Sequence, residues 1–452
     1  MTGSKALIKR IACSLTVMVF FALFLLGSAG SLANSFSFIR DAEIENTIRI
    51  YSTPLFQAAG LEPSDIKIYL VKDNSLNAFV AGGQKIFINT GLLMKSRHAG
   101  QVIGVIAHET GHIASGHLSR ARQALKKSTA QTILAYILGG AAAIGGRPDV
   151  GQVIVLGGKQ TGLRSLLHYS RTQESAADQA ALRFLDTTNQ SAQGLLEFFD
   201  TLSGQELLSA SRQDPYLRSH PLTRERMDAI RAHLVKSPNT DKPFPSRFQE
   251  MHKRMRAKLY AFLEPLAITL RRYKETDNSL VSRYARAIAY YRHPDLEKAL
   301  RLIDGLIKDR PDDPYFHELK GQMLFENGRA AAALGSYERA VQLLPHSALL
   351  RSGLAQAQLE LNDPALLDQA ILNFRAALLR EKDVPFFWNQ LAIAYGRQGR
   401  MGHSSLALAE EAMLQGNPKV ARYQAGRAAT ILPRGSVGWL QSQDILQAAK
   451  KK

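Results

Sequence analysis

The sequence predicts a mainly α-helical protein with a small β element and a C-terminal α-solenoid. Two patterns lead to this fold class. A 34-residue repeat runs through the C-terminal part, and helical apolar spacing is mixed with a short β segment between residues 34 and 235. The 452 residues are 45% hydrophobic and 21% charged, which is typical of a globular chain long enough for two or three domains.

The C-terminal pattern has the tetratricopeptide period. Pro311 and Pro345 are 34 residues apart, and small and aromatic residues between them occupy the offsets of two packed helices. Related units begin near Tyr284, Leu354 and Trp388, which predicts about four repeats plus a capping helix. Stacked helix pairs of this kind bury one continuous core and present a concave surface that usually binds peptides.

The N-terminus has the three parts of a secretory signal peptide. Lys5, Lys9 and Arg10 precede an uncharged apolar run, and the small residues Ser31 and Ala33 follow it. This order predicts export and cleavage after Ala33. Because the apolar run is nearly long enough to span a bilayer, an uncleaved anchor in the inner membrane is the alternative.

A composition shift separates the two folded regions. The stretch KSPNTDKPFPSRF is rich in Pro, Ser and Asn and is typical of a linker, and Gln249–Tyr273 has the pattern of a basic amphipathic helix. The sequence therefore predicts a signal peptide at 1–33, a first domain at 34–235, a linker and connecting helix at 236–278 and a repeat domain at 279–450.

Cysteine content and charge limit the chemistry. Cys13 is the only cysteine and precedes the apolar run, so a processed chain has none; thiolate ligands and cysteine nucleophiles are excluded. The formal net charge of +18 favours peripheral contact with an anionic membrane surface or acidic partners. Aromatic and basic residues are not interleaved as in nucleic-acid-binding proteins, so no nucleic-acid partner is expected.

The stretch VIAHETGHIASGH carries two histidines four residues apart. Apolar spacing from Gln101 to Leu125 predicts a helix, on which His108 and His112 lie about 40° apart with Glu109 beside them. Both imidazoles can reach one metal ion, and Glu109 lies close enough to activate a water. Since an HExxH motif arises by chance on the order of a few times per hundred chains, the interpretation requires a third ligand.

A second helix offers that ligand. The metzincin pattern HExxHxxGxxH is excluded because Leu118 stands where its third histidine belongs. In HYSRTQESAADQAALRFLD, Glu174 and Asp178 are four residues apart on one helical face. Glu174 can ligate the ion directly, and Asp178 can hydrogen-bond the outer nitrogen of a ligating histidine. A solvated acidic face is the simpler interpretation of this helix alone, but the upstream histidines favour the ligand.

Together these motifs resemble the HtpX-like and CAAX-prenyl-protease-like zinc peptidases. The resemblance rests on HExxH, on SRTQESAAD some sixty residues later, on LNAFVAGGQKIFINTGLL and on SHPLTRERM. It implies a gluzincin zinc-peptidase domain over residues 34–235. With a signal peptide and C-terminal repeats, the chain resembles the periplasmic members of this family that act in outer-membrane protein assembly. Those relatives can join their two domains by disulfides, which a chain without mature cysteines cannot form.

The resemblance also implies roles for individual residues. One Zn²⁺ would be held by His108, His112 and Glu174, and Glu109 would act as the general base. The strand at NAFVAGG would pair with an extended substrate, with Asn77, Ala78 and Phe79 along the edge of the cleft.

His220, in SHPLTRERM, matches a histidine thought to occupy the open zinc position in such relatives. Its role stays open between a fourth ligand, a transition-state donor after movement and the cap of the helix beginning at PLTRERM.

The predicted function is an exported zinc-dependent endopeptidase that degrades or helps assemble envelope proteins. Its repeats would recruit unfolded or misassembled envelope proteins, with a β-barrel assembly machine as a further candidate partner. The alternatives are a chaperone or assembly scaffold with a largely latent zinc site and a membrane-anchored quality-control protease. The apolar, glycine-rich segment Thr129–Leu167 is predicted as a packed hairpin, and the alternatives are a mobile lid or a patch that touches membrane or client.

Overall fold

The computed structural model describes residues 37–81, 83–117, 160–203 and 214–450. In these ranges the chain is mainly helical with one small sheet, as predicted, and stacked helix pairs follow the first domain. The predicted signal peptide lies outside the described residues, as does Thr129–Leu167 except for residues 160–167, which begin a helix. No helix in the described part of the chain is long and apolar enough to cross a bilayer.

The sheet has four strands in the order β1-β2-β4-β3. They are β1 Phe38–Ile39, β2 Lys67–Val71, β3 Ala78–Ala81 and β4 Lys85–Asn89. Strands β2 and β4 are parallel, whereas β1 and β3 pair antiparallel to them. Side chains alternate across the sheet: Leu70, Ile86 and Ile88 are buried in the core, and Phe79 stacks on Phe87 on the other face. In this strand order β1 and β3 are the two edges of the sheet.

Seven helices lie in the described residues of the first domain. They are α1 Ala42–Ala58, α2 Thr90–Lys95, α3 Ala99–Ala114, α4 Gln160–Thr187, α5 Gln193–Ser203, α6 Pro215–Ser219 and α7 Arg224–Lys236. Helix α3 is central: every residue from Ala99 to His112 is buried, and the helix packs against α1, α4, α5 and β3. At Gly111 a Cβ atom would lie 2.6 Å from the carbonyl oxygen of Ala177, so a glycine is needed where α3 approaches α4.

Helix α3 is shorter than the sequence predicted. It ends at Ala114 rather than continuing towards Leu125, because Gly116 adopts a left-handed conformation with φ of 62°. This turn brings His117 back beside the helix, where its Nδ1 lies 3.0 Å from Nδ1 of His112.

The predicted connecting helix over Gln249–Tyr273 is two helices, α8 Ser246–Leu263 and α9 Leu266–Arg272. The break lies at Pro265, which has no N–H to donate and whose ring forces the preceding Glu264 into an extended conformation, with φ of −97° and ψ of 153°. The prediction of one continuous helix was wrong for this reason.

Five antiparallel helix pairs form the solenoid. They are α10 Leu280–Arg292 with α11 Leu296–Asp309, α12 Pro314–Glu326 with α13 Ala330–Leu343, α14 Ala348–Glu360 with α15 Pro364–Arg380, α16 Pro385–Arg397 with α17 Met401–Leu414, and α18 Pro418–Ile431 with α19 Val437–Ala448. The repeat residues Ala333, Tyr337 and Ala340 are buried between helices, as packing residues should be. The fifth pair stands where the sequence predicted a capping helix after about four repeats.

A buried ionic network joins the two regions through α8. Glu43 of α1 accepts a hydrogen bond from the hydroxyl of Tyr284 in α10 (2.6 Å) and pairs with Arg254 of α8 (2.7 Å). Arg254 also pairs with Asp313 at the start of α12, and Lys258 lies 3.4 Å from Glu43. The domains are therefore docked by noncovalent contacts in which each buried charge has an opposite partner.

Candidate metal centre

Four predicted site residues converge in the core of the first domain. His108 and His112 come from α3, Glu174 from α4 and His220 from the residue that ends α6, and all four are buried. One donor atom from each lies within 4.8 Å of the donors of the other three, an arrangement that can hold a metal ion. Two helices and one loop thus bring together residues separated by 112 positions in the sequence.

The carboxylate of Glu174 lies at the centre of the cluster. Its Oε2 is 3.3 Å from Nε2 of His108, and its Oε1 is 3.3 Å from Nε2 of His112. The two imidazole Nε2 atoms are 3.1 Å apart. Nδ1 of His220 closes the group at 3.1 Å from Oε2 of Glu174. These donors face one common point.

Glu109 lies beside this group without being part of it. The side chain is fully buried, and neither carboxylate oxygen has a hydrogen-bond partner within the described ranges. Its nearest polar neighbour from the cluster is Nε2 of His220, 3.5 Å from Oε1. Burial raises the pKa of Glu109 against the opposing effect of nearby His220 and His108. A buried carboxyl group without a hydrogen bond and with a raised pKa is suited to accept a proton.

Asp178 lies behind the cluster, beside His108. Its Oδ1 is 2.8 Å from Nδ1 of His108, the nitrogen that faces away from Glu174. Arg226 of α7 donates from Nε to Oδ2 of Asp178 (2.6 Å) and from Nη2 to Oδ1 (2.9 Å), and its Nη1 lies 3.1 Å from Glu174. One guanidinium thus holds both carboxylates of α4.

The electrostatic environment shifts the pKa values of the two α3 histidines in opposite directions. Burial would lower the pKa of His108, but hydrogen bonds to Asp178 and Glu174 outweigh it and raise the pKa to about 9. Burial lowers the pKa of His112 to about 3. Burial would also raise the pKa of Glu174, yet the charge of His220 and the hydrogen bonds from His108 and His112 hold it well below its usual value. These shifts favour an ionised Glu174 and a neutral His112, whereas a metal ion bound by His108 would have to displace the proton that its raised pKa favours.

The position of His220 answers one of the questions that the sequence left open. Thr223, not His220, caps α7, since its side chain accepts a hydrogen bond from the backbone N–H of Arg226. The interpretation of His220 as the cap of that helix was wrong. Its ring instead stacks on Tyr216, with centroids 4.6 Å apart and an angle of 30° between the planes.

The predicted substrate residues lie along strand β3. The carbonyl of Asn77 accepts a hydrogen bond from the N–H of Asn89, and Ala78 and Phe79 pair with Ile88 and Phe87 of β4. Phe79 is half-buried.

This edge strand is tied to the segment that carries His220. The N–H of Leu76 donates to Asp214 (3.0 Å), and Asp214 caps α6, the short helix that His220 follows.

Sequence reasoning missed two residues of the site, Arg226 and Tyr216. Arg226 belongs to the SHPLTRERM stretch that was singled out, but no local pattern shows that its partners lie on α4. Tyr216 is buried, and its hydroxyl has no hydrogen-bond partner in the described part of the chain. The Asp214-Pro215 start signal for α6 was the available indication that His220 follows a helix.

Comparison with known proteins agrees with this geometry. Residues 40–234 match the model of Peptidase family M48, and residues 284–348 match a tetratricopeptide repeat model. The beta-barrel assembly-enhancing protease of Yersinia pestis is 22% identical over 355 residues, covering 77% of this chain and 71% of that protein. The protein of that name from Escherichia coli K12 is 22% identical over 423 residues, covering 90% and 83%.

Two further similarities are partial. Metalloprotease LoiP of Escherichia coli K12 is 31% identical over 170 residues, which are 38% of this chain and 62% of that protein. The solved structure of MamA MSR-1 C2 covers 37% of this chain and 97% of its own, with 16% identity and a TM-score of 0.32. The chain is thus a homologue of the beta-barrel assembly-enhancing proteases, with a metallopeptidase domain of family M48 followed by tetratricopeptide repeats.

Proposed function

We propose that this chain is an exported, periplasmic zinc-dependent endopeptidase that acts on envelope proteins recruited by its repeats. The observation that carries the proposal is the cluster of donor atoms from His108, His112 and Glu174, with the carboxylate of Glu109, which has no hydrogen bond among the described residues, beside it. The relatives named beta-barrel assembly-enhancing protease support the choice of envelope proteins as clients.

The donor set fits zinc. Two imidazoles and one carboxylate are a ligand set found in catalytic zinc sites, and no thiolate is needed. The buried oxygens of Glu109 and Nε2 of His220 lack hydrogen-bond partners among the described residues, as expected of groups that face a metal or a substrate. A zinc ion held by His108, His112 and Glu174 supplies Lewis-acid polarisation of the scissile carbonyl and a lowered pKa of water.

The residues of the chain provide the remaining steps. Glu109 takes a proton from the attacking water and passes it to the leaving amine. Asp178 and Arg226 fix the ring of His108 so that Nε2 faces the metal position. The edge of β3, with Asn77, Ala78 and Phe79, binds the substrate backbone as an added strand. His220 occupies a ligand position at rest and leaves it when substrate enters.

A second function is favoured by one observation. His220 lies 3.1 Å from Glu174 inside the donor cluster, which supports a resting site that a fourth donor closes. A chain in this state acts as a chaperone or assembly factor through its repeats, while the peptidase site stays latent.

The proposal is tested with purified full-length protein. We expect one zinc per chain in the wild type and in Glu109→Gln, since Glu109 is not a ligand. Cleavage of an unfolded protein such as casein should fall about 10²- to 10⁴-fold in Glu109→Gln, the range for loss of a general base. The exposed Glu62→Gln serves as the matched control and should cleave normally. Protein that binds no zinc, or a Glu109→Gln variant that cleaves normally, would overturn the proposal.

The two functions separate in cells that lack the gene. If proteolysis is the main function, Glu109→Gln fails to restore the defect of gene loss and wild type succeeds. Full restoration by Glu109→Gln would instead identify the chaperone function as the main one. Fractionation of the same cells tests the location, because an unprocessed chain in the inner-membrane fraction contradicts a periplasmic protein.

A further inference from the structure

Four aromatic side chains form a row across one face of the sheet. Phe38 of β1, Tyr69 of β2, Phe87 of β4 and Phe79 of β3 follow the order of the strands. The centroids of neighbouring rings are 5.8 Å apart for Phe38 and Tyr69, 5.0 Å for Tyr69 and Phe87, and 4.9 Å for Phe87 and Phe79. This aromatic row ends at β3, the strand along which the substrate is proposed to bind.

The aromatic row lies on the outer face of the sheet. The core of the first domain is on the other face, where Ile86 and Ile88 are buried, and none of the four rings belongs to that core. Phe38 is 49% exposed, and the other three rings are half-buried. A contiguous group of apolar side chains on a protein surface commonly marks a binding site.

The hydrogen bonds of β3 show which of its backbone groups face the sheet edge. The N–H of Asn89 donates to the carbonyl of Asn77, so residues 77 and 79 direct their backbone groups toward β4. Because this direction alternates along an antiparallel strand, the backbone groups of Ala78 and Val80 point away from β4. Within the described residues, no strand pairs with that side of β3. An added strand therefore hydrogen-bonds to Ala78 and Val80 and places one of its residues directly opposite Phe79.

A residue opposite Phe79 lies on the same face as the aromatic row. Directly opposite residues of adjacent strands share a face, and their Cβ atoms are about 4.5–5.5 Å apart. Phe79 stacks on Phe87 with an angle of 7° between the planes, so its second ring face is directed toward the edge of the sheet. The ring spacings of 5.0 and 4.9 Å at this end match the distance between paired strands, about 4.7–4.9 Å. An aromatic ring on the added strand would extend the row by one stacked member.

We propose that Phe79 determines specificity by selecting clients with an aromatic residue opposite it on the added strand. Stacked aromatic rings attract each other more strongly than their buried area alone accounts for. A charged residue at this position would lose hydration against the ring face without gaining a partner. The preference belongs to one position of the client, because the two neighbouring side chains point to the opposite face of the sheet.

The selected residue should lie at a constant distance along the client from the cleaved bond. Strand β3 is fixed relative to the metal centre, since the N–H of Leu76 donates to Asp214, which caps the short helix that His220 follows. This inference rests on the proposed addition of the substrate to β3 and names the class of residue that this edge selects.

The test is a peptide scan that is read as a ratio of rates. Purified full-length protein is incubated with end-blocked peptides of one sequence, in which a single phenylalanine is moved from position to position. Mass spectrometry gives the cleaved bond and the rate for each peptide. We expect one position, at a fixed distance from the cleaved bond, where phenylalanine raises kcat/KM about three- to tenfold over alanine.

Variants assign this preference to a particular ring. In Phe79→Ala the ratio of phenylalanine to alanine at that position should fall to near unity. Tyr69→Ala removes a ring from the same row two strands away from β3, so it is the matched control and should keep the preference. If Phe79→Ala does not fold, Phe79→Leu retains an apolar side chain and should still reduce the ratio. A purely structural role of Phe79 would lower the rates for all peptides together and leave the ratio unchanged.

Two results would overturn the inference while the peptidase function stands. One is equal cleavage of the phenylalanine and alanine peptides at every position. The other is a preference that Phe79→Ala retains, or that Tyr69→Ala loses to the same extent. Dimerisation that Phe79→Ala abolishes, together with no peptide preference, would show that this edge binds a second copy of the chain and that the inference is wrong.

Failure of the proposed peptidase function gives a different result, namely that the wild type cleaves none of the peptides. Binding then decides the inference, with the same peptides labelled with fluorescein and titrated with Glu109→Gln protein. Tighter binding of one phenylalanine peptide that is lost when Phe79→Ala is added to Glu109→Gln supports selection by Phe79. Equal binding of all the peptides overturns it.

Discussion

Arg226 and Asp178 form a buried, two-point ion pair, with Nε of Arg226 2.6 Å from Oδ2 of Asp178 and Nη2 2.9 Å from Oδ1. This pair joins α7 to α4 directly behind the metal centre. Since Asp178 also contacts Nδ1 of His108, the orientation of this histidine on α3 depends on a residue of α7. The site is therefore held by three helices, two of which carry no HExxH residue.

Replacing Arg226 should weaken both the fold and the metal site. In Arg226→Gln, Asp178 and Glu174 lose their shared cation in a buried environment, and we expect a loss of about 3–5 kcal/mol in the free energy of unfolding. Loss of the support behind His108 should reduce zinc affinity roughly 10- to 100-fold. Thermal unfolding with and without chelator and zinc titration measure the two effects.

Arg231→Gln is the matched control for Arg226→Gln. Arg231 lies on the same helix, but its ion pairs with Asp200 and Asp228 are exposed. Exposed pairs contribute about 0–1 kcal/mol, so this variant should unfold and bind zinc almost as the wild type does. If both arginine variants behave alike, the buried pair does not support the metal centre.

Removing His220 should increase peptidase activity. In His220→Ala the donor that lies 3.1 Å from Glu174 is lost, and a ligand position opens for water or substrate. We expect zinc content to be maintained by His108, His112 and Glu174 and cleavage of unfolded protein to rise severalfold. His293→Ala, an exposed histidine in the repeats, controls for the loss of an imidazole. A fall in cleavage of about 10² or more with zinc retained would instead identify His220 as a transition-state donor.

Neutralising Lys258 should loosen the docking of the two regions. Its ammonium lies 2.8 Å from Asp41 and 3.4 Å from Glu43, with Glu318 of α12 at 3.9 Å. Lys258→Met leaves this acidic group without its central cation, which we expect to cost about 3–5 kcal/mol. Lys253→Met, exposed on the same helix, should have little effect. Limited proteolysis between α8 and α10 and the thermal midpoint report the change; unchanged protection in Lys258→Met would contradict this role.

Local patterns predicted the parts of the site that depend on helical spacing. His108 and His112, and likewise Glu174 and Asp178, are four residues apart, and such pairs share a face on any helix. That these two pairs lie next to each other across α3 and α4 was inferred from metal chemistry, because two histidine ligands on α3 need a third ligand from another element. The repeat helices were predictable for a related reason: the 34-residue period repeats one packing solution.

Contacts between distant segments were not predictable in this way. Nothing near Arg226 in the sequence shows that its guanidinium reaches Asp178 on another helix. The ionic network of Glu43, Arg254 and Lys258 could not be predicted from the sequence either, since charged residues on a helix are usually solvated. His220 could be singled out by its motif, but only the fold shows that Thr223 caps α7 and leaves His220 facing Glu174.

The same network should give the fold a distinct pH dependence at Glu318. Burial, opposed by Lys258 and reinforced by Asp41 and Glu43, raises the pKa of Glu318 to about 7, against 4.5 when the chain is unfolded. The native state therefore favours the protonated form. The stability that this proton provides is fully present below pH 4.5 and is lost as the pH rises through 7.

Glu318→Gln, which mimics the protonated carboxyl, should lie close to the wild type in thermal midpoint at pH 5 and exceed it by much more at pH 8. The gain at pH 8 should be at most about 3 kcal/mol, the free-energy equivalent of the difference in pKa. Thermal unfolding of both proteins between pH 5 and pH 8 provides the comparison. Glu360→Gln, an exposed glutamate of α14, should track the wild type throughout. A difference between wild type and Glu318→Gln that does not change with pH would show that Glu318 is ionised in the folded protein across this range, because its carboxylate would then be stabilised by Lys258 more strongly than burial disfavours it.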